Sequence, residues 1–186
     1  QRRAFRRYCA LLADSSQKDL SQVDFRETVN GRPYLSDRED IWFSFSACSS
    51  GCLGAWSMSH AVGIDIEDRM QEIEALELAK AYFSKPEATA VATLEEGRAV
   101  PTILKYWSLK EAALKSIGEG LPFGLDTFEF RLDPQVSVAK APGEPSSFTA
   151  FAVSAPNSVA ALVIRDITYE LSLTQQHVGI QSFRGL

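Results

Sequence analysis

The order of patterns along the chain predicts an α+β fold. Strand-like segments occupy residues 41–67, helical segments follow across 75–118, and strand-like segments return from 127 to 166. Strands and helices grouped in this way are typical of α+β proteins, whereas parallel-sheet folds alternate the two. The chain has 186 residues, of which 45% are hydrophobic, so it is long enough for one domain or for two small lobes that share a core.

The first half of the chain predicts one helix, one loop and a group of strands. Apolar residues recur at helical spacing over 5–12, and Asn-Gly followed by an X-Pro step favours a loop over 30–37. The aromatic and β-branched stretch 41–67 is interpreted as two or three strands, broken at Gly51 and Gly54.

The second half predicts three helices and then a return to strands. The helices cover 75–83, 85–94 and 103–118, the last being closed by Gly118. Strand patterns follow at 127–132, 136–140, 147–154 and 158–166, separated by Asp-Pro, Pro-Gly and Pro-Asn turns. The polar tail from Thr174 onward is expected to fray.

Composition and charge argue against a membrane-spanning protein and against a general nucleic-acid-binding protein. No apolar run approaches the roughly 18 residues that cross a bilayer, so no membrane partner is expected. The net charge of −5 argues against broad nucleic-acid binding. Four arginines crowd the first seven positions, and they form either a local anion site or a solvated helix face: Arg2, Arg3, Arg6 and Arg7.

The cysteines indicate a cytoplasmic protein without a disulfide. Cys9, Cys48 and Cys52 are odd in number, lack metal-ligand spacing and have few histidine partners. These features suit reduced thiols in a cytosolic protein.

Two acids lie in a stretch that otherwise predicts a buried strand, Val-Gly-Ile-Asp-Ile-Glu at 62–67. Side chains alternate along a strand, so Asp65 and Glu67 share one face. Two carboxylates this close disfavour each other's ionisation unless a cation or water relieves them. The pattern fits either the polar face of an edge strand or a functional site.

The long predicted helix offers a partner for these acids. Glu111 and Lys115 are four residues apart and share one helix face, where a plain surface ion pair contributes about 0.3–0.5 kcal/mol. The alternative is that Glu111 joins Asp65 and Glu67 in an oxygen-rich Mg²⁺ site, with Lys115 holding a phosphate beside the metal.

The two motifs together resemble a known family. Gly-Ile-Asp-Ile-Glu at 63–67, followed by WSLKEAALKSIGEGL at 107–121, is similar to the paired signature of Sfp-type 4′-phosphopantetheinyl transferases. Three further stretches resemble family motifs in the same order: GRPYL at 31–35, FSFSAC at 43–48 and YFSKPE at 82–87.

The resemblance implies a fold and a division of the chain. It implies a pseudo-twofold pair of α/β lobes with the active site in the cleft between them, where coenzyme A binds. Residues 1–62 would form the N-terminal lobe, lacking its first strand, and residues 63–186 the C-terminal lobe with the metal site. We expect a monomer.

The resemblance also assigns roles to individual residues. It implies Mg²⁺ ligands at Asp65, Glu67 and Glu111, and a catalytic role for Glu67 or Lys115 as the base that takes the acceptor's proton. The residues it implies for coenzyme A are Arg32, Ser46, Lys115, Arg2 and Arg3. Trp107 is interpreted as either a core side chain or one that faces the carrier protein.

Position 47 is one of the departures from the family pattern. Where the family has a histidine that contacts coenzyme A, this chain has Ala47, which has no donor. A lost charge-assisted hydrogen bond to phosphate costs about 1.5–3 kcal/mol. His60 is close in sequence but matches no family position, so we interpret it as a strand-edge histidine rather than a replacement ligand.

The implied activity is Mg²⁺-dependent transfer of 4′-phosphopantetheine from coenzyme A to a serine of an apo acyl or peptidyl carrier protein, with release of 3′,5′-ADP. Two other hypotheses remain open from the sequence. One is a degenerate homologue that binds carrier protein or coenzyme A without turnover. The other is a Mg²⁺-dependent phosphohydrolase.

Overall fold

Ten strands and three α-helices form the part of the chain that the structure describes. The computed structural model describes residues 24–38, 40–68, 72–95, 97–166 and 178–183. The strands are β1 (Phe25–Glu27), β2 (Pro33–Leu35), β3 (Trp42–Cys48), β4 (Gly51–Ser57), β5 (His60–Asp68), β6 (Glu129–Arg131), β7 (Ser137–Lys140), β8 (Phe148–Ser154), β9 (Ser158–Asp166) and β10 (Val178–Phe183). The helices are α1 (Glu72–Tyr82), α2 (Lys85–Ala92) and α3 (Ala99–Ser116), and 3₁₀ turns lie at Leu121–Phe123, Leu125–Thr127 and Pro145–Ser147.

Two antiparallel three-stranded sheets organise the fold. One has the order β10-β4-β3 and the other β5-β9-β8, while β1 pairs with β2 and β6 pairs with β7. Helix α3 packs on the second sheet, against β5 and β9. Strands and helices are therefore grouped rather than alternating, and the predicted α+β class is confirmed.

A glycine allows α3 to lie directly on β5. A Cβ atom added at Gly63 would lie 1.8 Å from the carbonyl oxygen of Ala112 and 2.6 Å from the backbone nitrogen of Ser116. No side chain fits in that space, because both neighbours are backbone atoms of the helix. This close approach brings the functional face of α3 within reach of β5.

Both ends of α3 follow from local sequence. Pro101 lies in the first turn, where backbone N–H groups have no helical partner, so the helix begins at Ala99, four residues earlier than predicted. At the other end, Gly118 has φ +77°, and its N–H donates to the carbonyl of Lys115 while the N–H of Glu119 donates to that of Leu114. This Schellman arrangement confirms the predicted stop at Gly118.

A buried ion pair joins α2 to α3. Ser84 caps α2 and forms a capping box with Glu87. Glu87 lies 2.8 Å from Nζ of Lys110, and both side chains are fully buried. Lys110 also donates to the carbonyls of Leu125 and Phe128, so its ammonium group is held by acceptors from three segments.

Polar and apolar contacts hold the two large sheets together. Ala55, Val62, Ile64 and Leu162 form a shared core cluster. Beside it, the backbone N–H of Ile64 donates to Oγ of Ser44 at 3.1 Å, which joins β5 to β3 although the two strands belong to different sheets.

The structure corrects several sequence predictions. The loop predicted over 30–37 contains the short strand β2, and Gly54 lies inside β4 rather than at a break. Within the tail predicted to fray, residues 178–183 form β10, which pairs with β4 from Val178↔Ser57 to Phe183↔Cys52. Pairing with a distant strand supplies the backbone hydrogen bonds that a polar sequence does not predict by itself.

Other predictions stay as they were. The proposed lobe boundary before Gly63 lies inside β5, and the division into two lobes stays a prediction. The helix predicted over 5–12 and the arginine cluster lie outside the described residues. Across the described ranges, no helix has both the length and the apolar character needed to cross a membrane.

Candidate active site

Asp65 is the centre of a polar cluster at the junction of β3, β5 and α3. Its side chain is 2% exposed, and Nζ of Lys115 lies 2.7 Å from its Oδ1. Ser46 donates its hydroxyl to the same oxygen at 2.8 Å. Lys115 also lies 3.3 Å from the Ser46 hydroxyl and from the carbonyl of Ile64. Two of the five residues predicted to bind coenzyme A, Ser46 and Lys115, therefore meet at one predicted metal ligand.

The second oxygen of Asp65 is unpaired. Oδ2 is buried and has no hydrogen-bond partner among the residues described. A buried carboxylate oxygen without a donor is costly, and a cation or a water molecule is the usual partner of such an atom. Oδ2 of Asp65 is therefore suited to binding a divalent cation.

Glu67 lies two residues further along β5 and is half-buried. Its Oε1 accepts a hydrogen bond from the indole Nε1 of Trp107 at 3.2 Å. Burial raises the pKa of Glu67, and the charge of Asp65 raises it further. A carboxyl group of this kind takes up a proton more readily than an exposed glutamate.

Glu111 lies on α3, one turn before Lys115. Burial raises the pKa of Glu111, the ammonium of Lys115 opposes that effect, and the charges of Asp65 and Glu67 add to it. The negative charges of Asp65 and Glu67 therefore disfavour the ionisation of Glu111, an effect that a bound cation would relieve.

The donor set suits Mg²⁺ in its chemistry. It consists of carboxylate oxygens, one of them buried and unpaired, and Mg²⁺ prefers such ligands together with water and phosphate oxygens. Within the described ranges, however, no group of three such side chains lies close enough together to form a ready metal cluster. The assignment of Asp65, Glu67 and Glu111 as ligands stays a prediction.

A cavity of about 180 Å³ adjoins this cluster. Its lining includes Arg32, Ser44, Glu111, Lys115 and Gly118. The guanidinium carbon of Arg32 lies 4.1 Å from the ring centre of Trp42, which fixes its position by a cation–π contact. Burial lowers the pKa of Arg32, although the group remains cationic at any physiological pH. Arg32 and Lys115 therefore present two cations to one cavity.

A hydrogen bond closes one side of that cavity. Asn30, in the β1–β2 loop, donates its side-chain amide to Oε2 of Glu119 at 2.8 Å. This bond ties the β1–β2 loop to the segment that follows α3, and so fixes the loop that contains Arg32.

A second, apolar groove lies on the other side of Trp107. It has a volume of about 350 Å³, and its lining includes Tyr82, Phe83, Trp107, Leu121 and Leu125. Tyr82 and Leu121 remain 48% and 52% exposed. The groove adjoins the catalytic candidate Glu67 through the hydrogen bond from Trp107.

The remaining predicted residues do not all join the site. Arg2 and Arg3 lie outside the described residues, so their predicted contact with coenzyme A stays a prediction. Ala47 pairs with Cys52 across β3 and β4 and offers no donor. His60 begins β5 five residues before Asp65, roughly 16 Å away along an extended strand, and hydrogen-bonds to Ser59. The interpretation of His60 as a strand-edge histidine agrees with this place.

Two contacts of the site were missed by sequence reasoning. Trp107 donates a hydrogen bond to Glu67, whereas the sequence predicts only a core or carrier-facing side chain at this position. Asp68, next to Glu67, binds the β3–β4 turn and was not singled out. Its signal was present in the sequence, because it extends the run of acids along β5 to a third residue. Cys48 and Cys52 are free thiols, whereas Cys9 lies outside the described residues, so the absence of a disulfide stays a prediction.

Comparison with known proteins identifies the family. The family model described as the 4′-phosphopantetheinyl transferase superfamily matches residues 61–163, more than half of the chain. The 4′-phosphopantetheinyl transferase Sfp of Bacillus subtilis strain 168 is 33% identical over 131 residues, which cover 69% of this chain and 57% of that protein. The 4′-phosphopantetheinyl transferase HetI of Nostoc sp. PCC 7120 is 30% identical over 146 residues, covering 77% of this chain and 61% of that protein. The chain thus spans less than two thirds of the length of these relatives.

A solved structure supports the same fold. The holo-(acyl-carrier-protein) synthase from Bacillus anthracis str. Ames, in complex with CoA (3′,5′-ADP), matches with a TM-score of 0.51 at 16% identity. The match covers 59% of this chain and 99% of that one, and at this identity it supports the fold alone. With the matched span containing Asp65, Glu67 and Glu111, the chain belongs to the 4′-phosphopantetheinyl transferase superfamily.

Proposed function

We propose that this protein transfers the 4′-phosphopantetheine group of coenzyme A to a serine of an apo acyl or peptidyl carrier protein and releases 3′,5′-ADP. The observation on which the proposal chiefly rests is the buried, unpaired Oδ2 of Asp65, next to Lys115 and to a cavity with a second cation, Arg32. A site with acids on one side and cations on the other suits a diphosphate bound together with a divalent metal.

The cavity beside α3 supports coenzyme A as the donor. Arg32, in the β1–β2 loop, and Lys115, on α3, both line it, and both offer charge-assisted hydrogen bonds to phosphate oxygens. The planar guanidinium of Arg32, fixed over Trp42, can bind one phosphate with two parallel bonds. Ser46 adds a hydroxyl at the entrance to the acidic cluster.

The chemistry that this site supports is a displacement at phosphorus. The carrier serine oxygen forms a bond to the β-phosphorus of coenzyme A, and the bond from that phosphorus to the oxygen of the leaving 3′,5′-ADP breaks. Mg²⁺, held by Asp65 with Glu111 and Glu67, would neutralise charge on the diphosphate. The serine proton passes to a base in the site.

Glu67 suits the role of base better than Lys115. Lys115 contacts three acceptors, on Asp65, Ser46 and Ile64, so its ammonium group acts as a hydrogen-bond donor in this site. A general base instead has to accept the proton of the attacking hydroxyl. Burial raises the pKa of Glu67 and so increases its affinity for a proton, and the indole of Trp107 fixes its orientation. Lys115 is then assigned to binding phosphate.

The apolar groove beside Trp107 supports a protein acceptor. Tyr82 and Leu121 are about half exposed at its rim, and Phe123, in the adjacent 3₁₀ turn, is 43% exposed. Exposed apolar side chains grouped next to a reactive carboxyl group suit the docking of a partner protein that delivers its serine to Glu67.

A second function is favoured by one observation. Ala47 removes a donor that coenzyme A binding would use, which favours a homologue that binds carrier protein or coenzyme A without turnover. The retained acids and Lys115 argue for the enzyme, since binding alone gives no reason for three carboxyl groups that repel one another.

A mass-spectrometric transfer assay tests the proposal. The purified protein is incubated with Mg²⁺, coenzyme A and an apo carrier protein, and the intact carrier mass is measured. The phosphopantetheine adduct is expected. Binding of coenzyme A without an adduct on any carrier tested would favour the non-catalytic homologue, and hydrolysis of coenzyme A without an acceptor would indicate a phosphohydrolase.

A further inference from the structure

Asp68, the last residue of β5, binds the turn between β3 and β4. Its Oδ2 accepts the backbone N–H of Ser49 at 2.6 Å, and its Oδ1 accepts that of Ser50 at 3.1 Å. The Ser50 hydroxyl donates to the same Oδ1. The hydrogen bond from the Ser50 hydroxyl has the largest effect on the pKa of Asp68. Together with the bonds from the turn, it holds that pKa well below its usual range. One carboxylate thus satisfies both N–H groups of a two-residue turn.

The turn bound by Asp68 is close in sequence to the proposed active site. β3 ends at Cys48 and β4 begins at Gly51, so Ser49 and Ser50 form the tip of the hairpin. Ser46 lies on β3 just before this tip and donates to Oδ1 of Asp65. Asp65 and Asp68 both belong to β5, and they contact the same hairpin at two points.

β3 and β5 belong to different sheets. Within the described residues, side-chain hydrogen bonds join the two strands: Ser44 with the backbone of Ile64, Ser46 with Asp65, and Asp68 with Cys48 and the turn. Asp68 is the only one of these contacts that reaches the tip, within the residues the structure describes. Asp68 therefore joins the tip of the hairpin to the end of β5.

We propose that Asp68 is a positioning residue for the proposed transfer reaction. It holds the β3–β4 tip against the end of β5, so that Ser46 stays bonded to Oδ1 of Asp65 and Oδ2 stays available to a divalent cation. The catalytic consequence of this inference rests on the proposed function. The contact between Asp68 and the turn does not depend on that function.

The contact is tested first, independently of any activity. Hydrogen–deuterium exchange is measured by mass spectrometry on the full chain and on Asp68→Asn, in peptides that cover 47–52. We expect the Ser49 and Ser50 amides to exchange at least roughly tenfold faster in Asp68→Asn, because local opening there no longer breaks two bonds to a carboxylate. Asp133→Asn, at an exposed acid between β6 and β7, is the control and should leave these peptides unchanged. Unchanged exchange in Asp68→Asn would overturn the proposal.

The consequence is tested by a double-mutant cycle in the transfer assay. Asp68→Asn and Ser46→Ala should each lower kcat/KM for coenzyme A by roughly five- to tenfold, the equivalent of one lost hydrogen bond. If Asp68 acts through Ser46, the double variant will be no worse than Ser46→Ala alone within about twofold. Additive losses would overturn the positioning role. A parent protein with no transfer activity would refute the proposed function, and the exchange data would still decide whether Asp68 holds the hairpin.

Discussion

Lys115 and Asp65 form an ion pair of unequal burial. Nζ lies 2.7 Å from Oδ1, and the side chains are 29% and 2% exposed respectively. The carboxylate is thus removed from water while its partner keeps one side open to the cavity that also contains Arg32. This geometry leaves the ammonium able to contact a phosphate without releasing Asp65.

Replacing Lys115 should destabilise the protein through Asp65. Lys115→Met leaves a buried carboxylate without its cation, and we expect a loss of about 2 kcal/mol in the free energy of unfolding, below the 3–5 kcal/mol typical of fully buried pairs. The measurement is urea unfolding followed by circular dichroism. Lys105→Met, on the same helix, is the control, since Lys105 has no ion pair among the described residues. The double variant Asp65→Asn/Lys115→Met should recover most of the loss, and equal stability of the two single lysine variants would contradict this account.

Gly63 should tolerate no side chain. Gly63→Ala places a Cβ 1.8 Å from the carbonyl oxygen of Ala112, so α3 must move away from β5, and we expect a loss of about 3 kcal/mol or more, or failure to fold. Unfolding by urea measures the loss, and soluble yield reports failure to fold. Gly143→Asn is the control, because nothing lies within 4 Å and asparagine adopts its φ of +86°. A Gly63→Ala protein within about 0.5 kcal/mol of the parent would show that the close approach is not required.

These two positions show how much of the site the sequence could predict. Alternation along 62–67 correctly placed Asp65 and Glu67 on one strand, and helical spacing placed Glu111 and Lys115 on one helix face. The spacing alone suggested a local Glu111–Lys115 pair, but Lys115 contacts Asp65, fifty residues away. Which partner Lys115 contacts depends on how closely α3 packs on β5. Gly63 allows that close packing, and the spacing of residues in the sequence does not predict it.

The other misses have the same cause. β10 lies in a polar tail, and only its pairing with β4 makes it a strand. The bond from Trp107 to Glu67 likewise joins residues forty positions apart. Local pattern therefore predicted the elements and the donor set, while contacts between distant segments needed the structure.

Glu111 should destabilise the metal-free protein at neutral pH. Burial raises the pKa of Glu111 in the folded state above the ordinary value of 4.5. The ionisation of Glu111 therefore lowers the free energy of unfolding as pH rises above that value, and at lower pH this loss is absent. Glu111→Gln should therefore raise the unfolding temperature at pH 7 in the presence of a chelator. The gain should vanish near pH 4.

Thermal unfolding at both pH values checks this sign. Glu95→Gln, at an exposed position, is the matched control and should have little effect at either pH. A gain for Glu111→Gln that is equal at pH 4 and pH 7 would mean that its charge is not the cause.

Ala47 should limit the affinity for coenzyme A. Ala47→His adds a donor beside Ser46 on β3, and we expect an affinity gain of about tenfold, the equivalent of one charge-assisted hydrogen bond. Isothermal titration calorimetry with coenzyme A and Mg²⁺ measures it. Ala47→Leu adds bulk without a donor and should give no gain. Equal affinities for the histidine and leucine variants would place the bound phosphates away from β3.

The most direct test of the central claim is the Mg²⁺ dependence of carrier modification, with Asp65→Asn as the comparison. Asparagine keeps the size of the side chain but removes the charge that the unpaired Oδ2 offers to a cation. We predict that the parent forms the phosphopantetheine adduct only when Mg²⁺ is added, and that Asp65→Asn forms it at least roughly a hundredfold more slowly at any Mg²⁺ concentration. An Asp65→Asn protein that modifies the carrier at the parent's rate, with the same response to Mg²⁺, would contradict the account.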